Sequence, residues 1–457
     1  MEEALREVKP SERSTRMRYA IRDIMLVAQE AQKAGKKLVR LNIGDPLLYD
    51  FQTPRHIIET TFEAMLAGNN GYAPSSGIAE ALQAIRAEAE RDGIRNVQEV
   101  FVSAGVSEAI EITFAALLNP GDNVLIPSPG YPLYEAALVK LGAESVPYAL
   151  DEQDGWQPDL DDMARRVNDR TRAIVVINPN NPTGAVWRRE ALRAICEVAS
   201  KHGLVLFADE IYSKLLLDAV EHVPLASLAP ELPVVTFNGL AKAYLVPGFR
   251  MGWIIVSGEE KSLIHYREAI AKMMRVRLSA HHPAQYAIRA ALEGDQGHLP
   301  KVIEKLRKRR DLTVSLLNSF SKIRCFSPQG AFYAYPRLEI TRSDTEFVMD
   351  LARQTGVIVV PGDGFGQAPG TKHFRMVFLP PEETLEKALR LIGELAQRWS
   401  ELWKRAQSLL GAHGFEAIHH DFRRHGVIGR RRARQGRRPD GKGFARTGKG
   451  LGQELAP

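Results

Sequence analysis

Six short apolar runs punctuate the middle of the chain: Val100–Ser103, Asn123–Ile126, Ala173–Ile177, Leu204–Ala208, Val234–Phe237 and Trp253–Val256. They are continuous rather than alternating, the pattern of strands buried on both faces in a mostly parallel sheet covered by helices. The stretches between them, such as Arg188–His202, repeat apolar positions at helical spacing with charged residues outside. The pattern predicts an α/β domain over residues 51–297. From His298 it changes. A charged helical segment, Lys301–Ser319, precedes shorter strands at Ala331–Tyr335, Val357–Val360 and Phe374–Phe378, then a helix over Glu382–Trp403. This reads as a smaller α+β domain over residues 298–405, and the N-terminal segment, residues 1–50, is expected to pack with it. No internal repeat is visible.

Polar residues of particular types stand where these strands stop. Ala173–Ile177 runs into Asn178-Pro-Asn-Asn-Pro-Thr-Gly184, and Leu204–Ala208 into Asp209-Glu-Ile-Tyr212. Pro233–Phe237 leads through a glycine-containing turn to Lys242, with Arg250 shortly after. In an open parallel sheet, ligands bind beyond the carboxyl ends of the strands. Each residue alone has an ordinary reading. Asn181 fits a turn, Asp209 a helix N-cap, and Arg250 a surface ion pair. Their common placement at strand ends argues for one site, where a lysine can reach a carbonyl cofactor and an arginine its phosphate. Gly105-Val106-Ser107 likewise follows a strand and opens a helix, so its backbone N–H groups can hold phosphate.

Composition changes this picture only at the C-terminus. The 457-residue chain carries +6 overall, yet the stretch from Arg423 to Lys449 alone carries +10, so the rest is mildly acidic. Residues 406–457 are expected to be a disordered basic tail. Arg430–Arg434 could attract nucleic-acid phosphates, or the tail could be a dispensable extension or a reading-frame artefact. Cys196 and Cys325, the two cysteines, indicate no disulfide framework. The N-terminus lacks a signal peptide's apolar core, and no apolar run approaches the ~20 residues of a membrane helix. A cytoplasmic protein without membrane or metal partners is expected.

The ordered motifs Asn-Pro-Asn-Asn-Pro-Thr-Gly184, Asp-Glu-Ile-Tyr212 and Gly239-Leu-Ala-Lys…Gly-Phe-Arg250 resemble those of the class I, fold type I aminotransferases that use pyridoxal phosphate. The resemblance spans Arg18 to Gln397. Stretches such as Arg18–Asp23, Leu41–Pro46, Trp156–Asp159 and Arg277…Pro283–Gln285 look like the bacterial and archaeal alanine aminotransferases in particular. The resemblance implies a fold type I transferase, a homodimer, and L-alanine with 2-oxoglutarate as substrates. It implies Lys242 as the catalytic residue that bonds to the cofactor's aldehyde carbon and moves the substrate's α-proton. Asp209 would keep the pyridine nitrogen protonated, while Asn181 and Tyr212 would donate to the phenolate oxygen. Tyr131 would stack on the ring, and Gly105, Val106, Ser107 and Arg250 would hold the phosphate. Gly44, Asn181 and Arg375 would receive the substrate's carboxylate, and Tyr72 would reach the neighbouring subunit's phosphate.

Two departures stand out. Close relatives usually have serine where Ala241 precedes the lysine, a lost contact of ~1 kcal/mol, and Gly239 replaces a common Ser or Thr. Gly362–Gly366 lacks the strand–helix surroundings of a nucleotide loop and reads as the turn before the Arg375 strand. Arg275 and Arg277 are candidates by position for a distal carboxylate, or plain helix-surface charges. Other readings are an aspartate, aromatic or broad-specificity aminotransferase, a carbon–sulfur β-lyase on the same cofactor, or a cofactor-binding regulator using the basic tail.

Overall fold

The computed structural model describes residues 8–17 and 20–413. Residues up to Ser400 form one compact unit, and those from Glu401 belong to a second. In chain order the strands are β1 (Val39–Arg40), β2 (Val97–Ser103), β3 (Asn123–Ser128), β4 (Glu144–Asp151) and β5 (Gln157–Pro158). There follow β6 (Thr171–Ile177), β7 (Val205–Asp209), β8 (Val234–Gly239) and β9 (Gly252–Ser257). Strands β2 to β9 make an eight-stranded sheet in the order β2-β9-β8-β7-β6-β3-β4-β5. Its centre is parallel, while β9 runs antiparallel to both β2 and β8.

The continuous apolar runs became the strands of this sheet because both faces are covered. Val175, Phe207 and Phe237 pack with Phe114 and Tyr134 on one face. Val176, Leu206 and Ala208 pack with Trp187 and Leu192 on the other. Each buried Val, Leu or Phe among them contributes about 1.5–3 kcal/mol by leaving water. The sheet also holds β4 and β5, which the apolar pattern does not announce. β4 contains Pro147 and is only partly buried, as suits a strand near a sheet edge, where a missing N–H is tolerated.

Register brings the polar strand ends into line. Ile177 lies opposite Asp209, and Asp209 opposite Phe237. Ser103 lies opposite Gly252, so the antiparallel β9 begins where β2 ends.

The remaining strands are β10 (Ile323–Arg324), β11 (Tyr333–Ala334), β12 (Arg337–Leu338), β13 (Val357–Ile358), β14 (Val360–Pro361) and β15 (Phe374–Val377). β11, β15 and β14 form an antiparallel sheet. The run Val357–Val360 divides into two strands because the chain changes partner: β13 pairs with β1, whereas β14 pairs with β15. The N-terminal segment is stitched in by that parallel pairing and by Val377 N–H donating to the Leu41 carbonyl at 2.8 Å. The helix Ala20–Lys33 lies against the helix Asp344–Thr355, the latter opened by a Ser343/Glu346 capping box.

The last helix runs Glu382–His413, past the Ala406 at which the sequence suggests a structureless tail. Its buried face, Leu385, Leu389, Ile392 and Ala396, keeps helical spacing up to Trp399. Residues 414–457, with the basic stretch, lie outside the described residues, as do Arg18 and Tyr19.

Candidate active site

The loop after β6 is held by its own side chains. Asn178 Oδ1 accepts from Trp187 N–H at 2.9 Å, and Asn180 Oδ1 from the Thr183 hydroxyl at 2.8 Å. Those bonds fix the turn and leave Asn181 lining a cavity of about 350 Å³ at the strand ends, a size typical of small-ligand sites. Asp209, Tyr212, Lys242, Arg250 and Arg375 line the same cavity. So do Gly44, Gly105, Val106, Ser107 and Tyr131. The cofactor and α-carboxylate candidates named from the sequence thus line one cavity apart from Tyr72, and the distal-carboxylate candidates Arg275 and Arg277 do not. Tyr72 is 84% exposed and outside the cavity.

Asp209 closes β7 and is almost fully buried. The Tyr134 hydroxyl donates to its Oδ2 at 2.9 Å, and Ile211 N–H to Oδ1 at 3.3 Å. Burial pushes its carboxyl up from 3.8 to about 6, with those two donors pulling the other way. Burial also lifts the Tyr134 hydroxyl well above its ordinary range, so it stays a donor. Lys242 Nζ donates to the Gly44 carbonyl at 2.9 Å and stands 5.5 Å from the centre of the Phe332 ring. The Tyr212 hydroxyl meets the Tyr333 hydroxyl at 2.9 Å.

At the far end of the cavity the helix Val106–Leu117 presents its N-terminus, with Gly105 as N-cap at φ +81°. A Cβ on Gly105 would fall 2.4 Å from Arg250 Nη2, so only glycine lets the guanidinium approach this turn. Arg250 itself donates to the neutral carbonyls of Pro247 and Ala104. A guanidinium beside free helix N–H groups is a ready anion site.

Arg375, on β15, is 2% exposed. Nη2 donates to the Asn42 carbonyl at 2.6 Å and Nη1 to Asn181 Oδ1 at 3.3 Å. Its Nε finds no hydrogen-bond partner among the described residues, and its plane lies over the Tyr333 and Phe365 rings at 4.7 and 4.8 Å. A buried cation served by neutral oxygens invites a carboxylate. Gly44 leaves the room: a Cβ there would sit 2.2 Å from the Tyr333 hydroxyl.

Tyr134, Tyr333 and the Asn42 carbonyl belong to the site without having been singled out in the sequence. Tyr134 follows Tyr131 by one helical turn, a spacing that could have drawn attention. Tyr333 sits in a strand that reads as core. Arg275 is exposed and neither it nor Arg277 lines the cavity. Arg277 donates to the Val102 carbonyl at 2.6 Å and faces Glu108 at 3.5 Å, so its charge is already engaged. Gly362–Phe365 forms a short 3-10 turn between β14 and β15, carrying Phe365 to the Arg375 guanidinium. Ala241 lines the cavity beside Lys242, where a serine hydroxyl would face the ligand.

The cavity therefore holds an amine, a buried carboxylate with no ion-pair partner among the described residues, an anion cradle and a buried guanidinium. That set fits pyridoxal phosphate with an amino acid: an aldehyde, a ring cation, a phosphate and an α-carboxylate.

Comparison with known proteins agrees. The family model described as aminotransferase class I and II matches residues 36–392. The glutamate-pyruvate aminotransferase of Escherichia coli (strain K12) is 37% identical over 407 residues, covering 86% of this chain and 100% of that protein. The alanine aminotransferase of Mycobacterium tuberculosis (strain H37Rv) is 40% identical over 375 residues, covering 80% of this chain and 87% of that one. Among solved structures, the alanine aminotransferase of Pyrococcus furiosus superposes with a TM-score of 0.82 at 40% identity, covering 85% of this chain and 100% of that one. With its motifs, its sheet and its cavity in agreement with these matches, the chain belongs to the class I and II aminotransferases.

Proposed function

We propose that this pyridoxal-phosphate-dependent aminotransferase converts L-alanine and 2-oxoglutarate to pyruvate and L-glutamate. When bound, the cofactor supplies an electron sink for the carbanion generated at the substrate's α-carbon. Asp209 would hold its ring nitrogen protonated, since a buried carboxylate favours a cation beside it. Gly105, Val106, Ser107 and Arg250 would take the phosphate, Tyr131 would cover the ring, and Asn181 and Tyr212 would donate to its phenolate oxygen. Lys242 would bond to the aldehyde carbon. Released by the incoming amine, it would carry the α-proton, its Nζ already held over the cavity by the Gly44 carbonyl. Arg375 would fork the α-carboxylate.

The observation that carries this reading is the buried Arg375 guanidinium facing the same cavity as Lys242. The alanine preference is supported by the names of the relatives at 37–40% identity. The test is a panel of half-reactions on purified holoenzyme, without keto acid, followed by the cofactor's absorbance. Alanine and glutamate should convert it, each releasing its keto acid. Conversion by aspartate or phenylalanine alone would replace the alanine reading. Ammonia released from cystathionine without conversion would indicate a lyase. Arg375→Ala should lower alanine kcat/KM by about 10²-fold, the order of a lost charged bidentate pair, with cofactor retention little changed. Equal loss of both would mean the carboxylate clamp lies elsewhere.

A cytoplasmic homodimer completes the proposal. Ile58, Phe62 and Leu66 recur at four-residue spacing along the helix Arg55–Leu66 and are all exposed, as is Tyr72 shortly beyond. Such an apolar stripe is costly in water and suits a subunit interface, from which Tyr72 would reach the partner's phosphate. Sedimentation should return twice the chain mass. We further assign residues 1–50 and 298–405 to a small domain and 51–297 to a large one, supported by the β1–β13 pairing. No helix among the described residues is long and apolar enough to cross a membrane.

A further inference from the structure

An enzyme that alternates between alanine and glutamate must seat a methyl group and a –CH2CH2COO⁻ group at the same place. A permanently exposed second cation would serve the diacid but leave an unpaired charge beside the methyl. Met25 lines the cavity, and Arg40, itself outside the lining, stands behind it. Met25 reaches the cavity from the helix Ala20–Lys33, beside Ile43 and Gly44. Its Sδ accepts from Asn42 Nδ2 at 3.5 Å and from Arg40 Nη1 at 3.7 Å. Asn42 also gives its carbonyl to Arg375, which ties this cluster to the α-carboxylate clamp.

The pairing is chemically unequal. A thioether sulfur is a weak acceptor, and Arg40 forms no ion pair among the described residues. The half-buried guanidinium is therefore covered by a side chain that offers it little. A carboxylate would offer a charge-assisted bond about twice as strong as a neutral one. Methionine is unbranched, with several rotatable bonds, and can repack readily. The Asn42 Oδ1 is buried without a hydrogen-bond partner among the described residues, which leaves an acceptor spare in this corner.

The geometry points to Arg40 as the residue that recognises the distal carboxylate of a five-carbon dicarboxylic substrate, with Met25 as a displaceable cover. With alanine or pyruvate bound, the thioether stays over Arg40 and supplies the apolar wall. With glutamate or 2-oxoglutarate, the side chain turns aside and the distal carboxylate takes the guanidinium. This assignment rests on the alanine–glutamate reading of the site.

The experiment compares holoenzymes carrying Arg40→Gln, Arg40→Lys and Met25→Leu with the unaltered protein. Half-reaction kcat/KM for glutamate relative to alanine should fall about 10- to 100-fold in Arg40→Gln, the loss of one charged hydrogen-bonded pair. Arg40→Lys should recover part of that ratio. Met25→Leu, which removes the sulfur and stiffens the cover, should lower the ratio by less. Calorimetric titration with glutarate and butyrate should show the preference for glutarate disappearing in Arg40→Gln alone. A ratio within twofold of the unaltered protein, or equal losses for both donors, would overturn the role of Arg40. Should the unaltered protein fail to accept both alanine and glutamate, it is the underlying function that falls.

Discussion

Lys242→Ala is expected to remove turnover altogether, by at least ~10⁴-fold, because it deletes both a covalent anchor and the proton carrier. The side chain is placed for both tasks. Its Nζ lies in the cavity, held by the Gly44 carbonyl and flanked by the Phe332 and Tyr212 rings. Gly105–Ser107 follow β2 and Asp209 closes β7, while Arg250 stands further along the same connection as Lys242, beside Gly105, so the cradle stays in place. Dialysed variant should therefore retain noncovalent cofactor, and borohydride should no longer fix it to the protein. Steady-state rates and borohydride labelling decide the matter together. Activity within tenfold of the unaltered protein would remove Lys242 from the chemistry.

Asp209→Asn should have two opposite effects. In the holoenzyme it removes the partner of the ring cation, and kcat should drop about 10²–10³-fold, the scale of losing one preorganised electrostatic group. In the apoprotein it should stabilise. The folded carboxyl keeps its proton up to about pH 6, whereas its ordinary value is 3.8. Between those values the folded state binds more protons, so Asp209's contribution to stability falls as pH rises through that window. The cost is complete above about pH 6. Two pH units correspond to about 3 kcal/mol. Asparagine cannot ionise and can still accept from Tyr134. Urea unfolding of the apoproteins should show the variant more stable by up to about 3 kcal/mol at pH 8. The gap should close towards pH 4. A pH-independent difference would mean that burial of the charge is not its source. Such opposition between stability and activity is expected where a functional charge is buried before its ligand arrives.

Most of the large sheet was legible in the sequence for a physical reason. Strands covered on both faces must be apolar throughout, so their position and their ends are written locally, and the polar residues that follow them mark the ligand edge. Strand β4, next to the short edge strand β5, was not legible, because partial exposure and Pro147 weaken its pattern. The motifs also located Lys242, Asp209, Asn181 and Arg250 at strand ends, since each stands within a few residues of an apolar run. Tyr134 and Tyr333 were invisible in that sense: an aromatic in a helix or strand reads as core, and only packing shows which hydroxyl meets Asp209 or Tyr212.

By itself, then, the sequence determined the alternation of elements, the parallel centre of the sheet and the residue types at its carboxyl edge. These depend on side-chain polarity at neighbouring positions. Tertiary structure alone decided how distant segments meet there. The antiparallel β9 brings Arg250 to Gly105 across the end of β2. The β1–β13 pairing and the Val377–Leu41 hydrogen bond bring Asn42 to Arg375. Contacts between residues more than a hundred positions apart are set by which buried surfaces fit together, and that information is spread over the whole core.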